Sequence, residues 1–149
     1  MRCYNVVIDS LYPYVAGATI ATNQYNINWS GIMPDKPYKV TMSFTSASTS
    51  IVDDIIMGIQ ANLGGNDVYC NKQLSYAGAC NYLGTARCMN IGNHPHYYNC
   101  STVDNSPIYL QQRPNENMLT VLLTNGVNGT AYATPVPSNY VLILHFEEA

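Results

Sequence analysis

Charge is what this sequence has least of. Asp, Glu, Lys and Arg make up 10% of its 149 residues, against roughly 25% in an ordinary soluble domain. The six Lys and Arg are scattered from Arg2 to Arg113, and the net charge is -3. Phosphate contacts need clustered cations, so direct binding of DNA or RNA is not expected. No apolar run approaches the roughly 18–20 residues of a membrane span. The first ten residues, MRCYNVVIDS, hold neither an apolar stretch of about 7–15 residues nor a small-residue cleavage site, so neither a membrane span nor a secretory leader is expected. G-x-S-x-G, a tight C-x2-C pair, a heptad and an internal repeat are missing as well. Their absence removes the local signatures of a hydrolase elbow, a structural zinc site, a coiled coil and a repeat array.

What replaces charge is Asn, 17 of them, with many Ser and Thr. A sparsely charged surface suits a protein covered by neighbours better than a crowded soluble monomer. The competing explanation is a secreted domain kept soluble by Asn, Thr and sugars. The length suits one domain, 1–149, because two would each be too small for a sizeable core.

The dominant pattern has period two, the mark of strands. In 38–45, Tyr38, Val40, Met42 and Phe44 alternate with Lys39, Thr41, Ser43 and Thr45, so one face meets a core and the other a polar setting. Tyr25, Ile27 and Trp29 alternate with Asn26 and Asn28. Tyr140, Leu142, Leu144 and Phe146 oppose Val141, Ile143, His145 and Glu147, and two largely apolar faces predict a strand at the centre of a sheet. Further strands are predicted at 4–9, 54–62, 86–91, 107–112 and 118–124, with strand preferred over helix in 51–61. Turn chemistry separates them, as at Gly64-Gly65-Asn66, Pro114-Asn115 and Asn125-Gly126. The longest irregular stretch, 63–106, carries four Cys and five of the 13 Tyr. Loops that long are usually functional or interaction surfaces. About eight short strands in one small domain predict an all-β, antiparallel two-sheet β-sandwich, a single jelly roll. Trp29, Val40, Met42, Phe44, Leu119, Val121, Leu142, Leu144 and Phe146 are the expected core.

In order along the chain stand VVIDS, YNINWSG, PYKVTMSFTS, SPIYLQQRPNENMLTVLLTN and NYVLILHFE. This succession resembles the small single jelly-roll capsid proteins of large icosahedral double-stranded DNA viruses of eukaryotes. The likeness lies in pattern rather than in a catalytic signature, and it leaves out 63–106. It implies a non-enzymatic structural role in the virion, assembled in the host cell. The protein would be a penton at the five-fold vertex or a minor capsid protein bracing the shell, with the compactness of the chain leaning towards penton. The implied partners are copies of itself, as in a pentamer, together with the major capsid protein and other capsid proteins.

Local chemistry offers little against that role. His94-Pro95-His96 would place two imidazoles on one face of a strand, but no Glu follows and Pro95 is expected to break the strand. Two exposed loop histidines are the expectation. Cys70, Cys80, Cys88 and Cys100 are separated by nine, seven and eleven residues, a poor zinc spacing. Thiols, or at most two disulfides among these four, are expected, with Cys3 unpaired within the chain and no metal or cofactor. Asp53-Asp54 and Glu147-Glu148 are adjacent strand carboxylates pointing to opposite faces, unsuited to glycosidase work. The sequons at Asn28, Asn99 and Asn128 match by chance in so Asn-rich a chain, and Asn28 falls within an expected strand, so no obligatory glycosylation is expected. Tyr is a favoured contact residue. Tyr69, Tyr76, Tyr97 and Tyr98, read as loop residues, are therefore the candidate interface positions. The same tyrosines would serve the alternative, a carbohydrate- or receptor-binding β-sandwich.

Overall fold

A computed structural model of the chain describes residues 2–12, 22–47, 56–64, 81–91, 94–99, 105–125 and 139–149. These form nine strands and one helical turn: β1 Cys3–Asp9, β2 Thr22–Asn26, α1 Trp29–Ile32, β3 Tyr38–Ala47, β4 Ile56–Ala61, β5 Asn81–Ile91, β6 His94–Tyr98, β7 Ile108–Leu110, β8 Met118–Asn125 and β9 Asn139–Glu148. The protein is all-β, and every ladder between named strands is antiparallel. The ladders run in one continuous path, β1-β9-β3-β6-β5-β4-β8-β2, with β7 beside the start of β3. Leaving β7 aside, the eight path strands pair in a nested way: first with last, second with seventh, third with sixth, fourth with fifth.

The alternation read in the sequence is realised as burial. Tyr38, Val40, Met42 and Phe44 of β3 and Tyr140, Leu142, Leu144 and Phe146 of β9 are buried, as are Val6 and Ile8 of β1. β9 lies between β1 and β3, paired along its length on both sides. From β8 and β4 come Leu119, Val121, Leu123, Met57 and Ile59. All nine expected core residues are buried. Rings knit this core: Phe146 meets Trp29 and Tyr38 edge-on at 5.6 and 5.9 Å, and Phe44 stacks on Tyr140 at 5.3 Å. The Tyr25 hydroxyl of β2 meets the Tyr140 hydroxyl of β9 at 2.8 Å, joining strands far apart in the sheet order.

Three local expectations are corrected. Trp29 is core but not strand: β2 ends at Asn26, and Asn28 caps a helical turn, its Oδ1 accepting from the Gly31 N–H at 3.3 Å. Asx capping of a turn competes with strand alternation at such a position, so Asn28 is a cap rather than a mid-strand residue. Within 63–106, β5 and β6 take up 81–91 and 94–98, more strand than the expected 86–91.

Pro95, thirdly, does not break a strand, and the register explains why. Asn99 donates its backbone N–H to the Phe44 carbonyl, so odd-numbered groups of β6 point towards β3. The nitrogen of Pro95 therefore faces away from β5, and the proline costs no bond in the β5–β6 ladder.

Asparagines do the work of missing backbone. Between β7 and β6 the edge of β3 is filled by Asn105, whose Nδ2 donates to the Met42 carbonyl at 2.9 Å. Asn62 continues β4 alongside β8, accepting from the Thr120 N–H at 2.6 Å and donating to the Met118 carbonyl at 3.1 Å. Asn81 Oδ1 accepts from the N–H groups of Leu63 and Gly64, where Gly64 has φ 94°. That left-handed conformation suits glycine.

Candidate interaction surface

In β1, β9 and β3 the residues between the core positions form an outward face. Register places Asn5, His145 and Thr41 in one row, Val7, Ile143 and Ser43 in the next, and Asp9, Val141 and Thr45 in a third, which continues to Tyr98 of β6. Val7 is 61% exposed and Tyr98 38%. Charge on this face stands at its margins, in Asp9, Lys39 and Glu147, with the neutral rows between them. A shallow groove of about 300 Å³ runs over it, lined by Asn5, Thr41, Met42, Ser43, Ile143 and His145. His145 Nδ1 and Asn5 Oδ1 lie 2.6 Å apart. An amide oxygen only accepts, so Nδ1 is the donor of this pair.

Of the expected interface tyrosines, Tyr98 stands on this face. Tyr97 does not: it is a strand residue at 1% exposure on the core side of β6, because neighbouring residues of a strand point to opposite faces. Its place as a loop contact is corrected. Tyr69 and Tyr76 lie outside the described residues. So do Cys70, Cys80 and Cys100, as well as Asp53-Asp54 and Asn128, while Cys88 falls on β5 with its side chain not described. Cys3 is a free, exposed thiol. Signals that sequence reasoning passed over are Val7, Leu11 and Tyr12, of which the last two are 61% and 77% exposed. Val7 was legible as the outward member of an alternating strand.

The site holds little reactive chemistry. Among the described residues no three of His, Cys, Asp and Glu come together, and none of their helices is long and apolar enough to cross a membrane. Glu148 pairs with Lys36 at 3.5 Å, while Glu147 stands on the opposite face beside Lys39. Asn99 Nδ2 is tied to the Thr85 carbonyl at 2.9 Å. Tyr140 and Tyr38, both buried away from the outward face, have raised pKa values. Burial is the main cause for Tyr140, followed by Tyr25 beside it. Burial also leads for Tyr38, followed by Tyr4 and Glu148. Such groups stay neutral and structural.

No family model matches the chain, and no curated protein matches it.

Proposed function

We propose that this chain is a non-enzymatic structural subunit of the capsid of a large icosahedral double-stranded DNA virus of eukaryotes. It serves as penton at the five-fold vertex or as a minor capsid protein bracing the shell. The observation that carries the proposal is the nested strand pairing. First with eighth, second with seventh, third with sixth and fourth with fifth is the order produced when one antiparallel ribbon is wound into a jelly roll, the architecture of many capsid subunits. In this reading β1-β9-β3-β6 and β5-β4-β8-β2 are the two layers, and the Tyr25–Tyr140 hydroxyl pair spans the core between them. The low charge of the chain and the neutral rows of its outward face fit a subunit covered by neighbours.

A second reading, a carbohydrate- or receptor-binding module, rests on the groove. Amide, hydroxyl and imidazole groups beside the apolar wall of Ile143 suit a polyhydroxylated ligand. Two measurements on the purified protein separate the readings. Self-association beyond a dimer by native mass, with a blank glycan array, supports the capsid subunit. A monomer that binds a defined glycan supports the module and overturns the capsid proposal.

A further inference from the structure

The path of the described strands ends at β1, and among the described residues no strand pairs with its free side. Its polarity follows from its neighbours: Ser10 N–H donates to the Tyr140 carbonyl and Glu148 N–H to the Arg2 carbonyl, at 3.1 Å each. Even-numbered residues of β1 therefore bond to β9. Cys3, Asn5, Val7 and Asp9 direct their N–H and C=O groups away from the sheet. Of these, the Asp9 carbonyl accepts from the Tyr12 N–H at 3.1 Å. Natural sheets protect such an edge with Lys, Pro, a bulge or a very short strand. β1 has none of these: it is seven residues long, reads CYNVVID, and pairs with β9 without a register shift. Beside it stand the exposed Val7, Leu11 and Tyr12. The other terminal strand, β2, is no equivalent, because its Gln24 and Tyr25 carry further interactions within the chain.

We infer that the β1 edge pairs antiparallel with the β1 edge of a second copy of this chain, about a two-fold axis. Three features select this occupant. An exposed strand edge is satisfied by another extended backbone. The two ends of β1 differ in charge, Arg2 at one and Asp9 at the other, so antiparallel pairing sets unlike ends together while parallel pairing sets like with like. The register with Asn5 opposite Val7 and Cys3 opposite Asp9 of the second copy engages all four outward residues. In it, Leu11 and Tyr12 stand at the end where Arg2 of the second copy arrives. Such a contact is isologous, using one patch twice, and is distinct from the two-patch contact that closes a ring of five. The pairing is independent of the capsid reading.

The test uses the full chain and two variants, Val7→Lys and Val7→Pro. Lysine puts a charge on the edge, and proline removes an N–H that points away from β9, so neither touches a bond within the sheet. The wild type is expected to sediment as a concentration-dependent dimer. Both variants are expected to dimerise at least tenfold more weakly, and Val7→Lys to keep the wild-type unfolding midpoint at dilutions where the wild type is monomeric. Amide hydrogen exchange reads the register directly. Cys3, Asn5, Val7 and Asp9 are slowed at least tenfold in the concentrated wild type and released in Val7→Lys, while Tyr4, Val6 and Ile8 stay slow in both. A wild type that is monomeric at its highest soluble concentration overturns the inference, as does a dimer that survives in Val7→Lys. If Val7→Pro misfolds, Val7→Lys and the exchange pattern decide. A mass of five chains with fast odd-numbered amides overturns the pairing and leaves the vertex role standing.

Discussion

Along β9, buried residues alternate with half-exposed ones, whereas in β4 and β8 five consecutive residues each, 57–61 and 119–123, are buried. The two regions belong to the same continuous sheet and differ in what they offer outwards. Around β9 the sheet has a core face and a presented face. Around β4 and β8 both faces are covered, and even Gln60 and Thr120 are buried. The open outward face therefore belongs to β1, β9 and β3, and substitutions of residues off the core face should have unequal consequences in the two regions.

The largest effect is expected where the regions agree, in the shared core. Phe44→Ala should cost about 3–5 kcal/mol in urea unfolding, and a loss below about 1 kcal/mol would remove Phe44 from the core. The contrast itself is sharpest between Leu122 of β8 and Val7 of β1, both off the core face of their strands. Leu122→Ala should cost about 2–5 kcal/mol, and Val7→Ala should stay within about 0.5 kcal/mol. Equal losses at the two positions would erase the difference between the regions.

Gln60 gives a change of opposite sign. Its side-chain oxygen and nitrogen are buried without a hydrogen-bond partner, and an unsatisfied buried polar group costs about 1–3 kcal/mol. Gln60→Met keeps the length of the side chain and should raise stability by an amount of about that size; a destabilised variant would indicate that the amide is satisfied. A smaller loss than in the core, about 1 kcal/mol from the hydroxyl pair with Tyr25, is expected at Tyr140→Phe. Its alkaline behaviour is more telling. Burial first, then Tyr25, holds the Tyr140 pKa above the ordinary tyrosine value, and an unfolded tyrosine ionises near pH ~10. The folded chain thus keeps a proton that the unfolded chain gives up. The associated stability is full below about pH 10 and falls as pH rises beyond it. Unfolding midpoints between pH 9 and pH 11 should fall less steeply in Tyr140→Phe than in the wild type, on the order of a 1-unit test window either side of that pKa.

The region around β9 was readable because one face is polar: β3 and β9 announce their alternation in 38–45 and 140–147. In β8 the run of Leu119, Thr120, Val121, Leu122 and Leu123 hides its period, since a strand covered on both sides has no reason to alternate. β6 was missed because Pro95 and two histidines read as a loop. Nothing local reveals that the nitrogen of the proline faces away from β5. Tyr97 was misplaced for the same reason, and Tyr98, its neighbour on the opposite face, is exposed but lies on β6 rather than in a loop. Asn richness was read as a sign of a covered surface, and part of it has an internal cause. Asn28, Asn62, Asn81, Asn99 and Asn105 bond to the backbone at strand and helix ends. The β1 edge was legible as a short strand with no Lys or Pro, but its bareness depends on topology, which puts β1 at the end of the path.

The capsid role is tested most directly by the composition of gradient-purified virus particles from infected cells. This chain is expected in the particles at a fixed ratio to the major capsid protein, retained through salt washes. Its absence from particles, together with a monomeric pool left in the cell lysate, would contradict it.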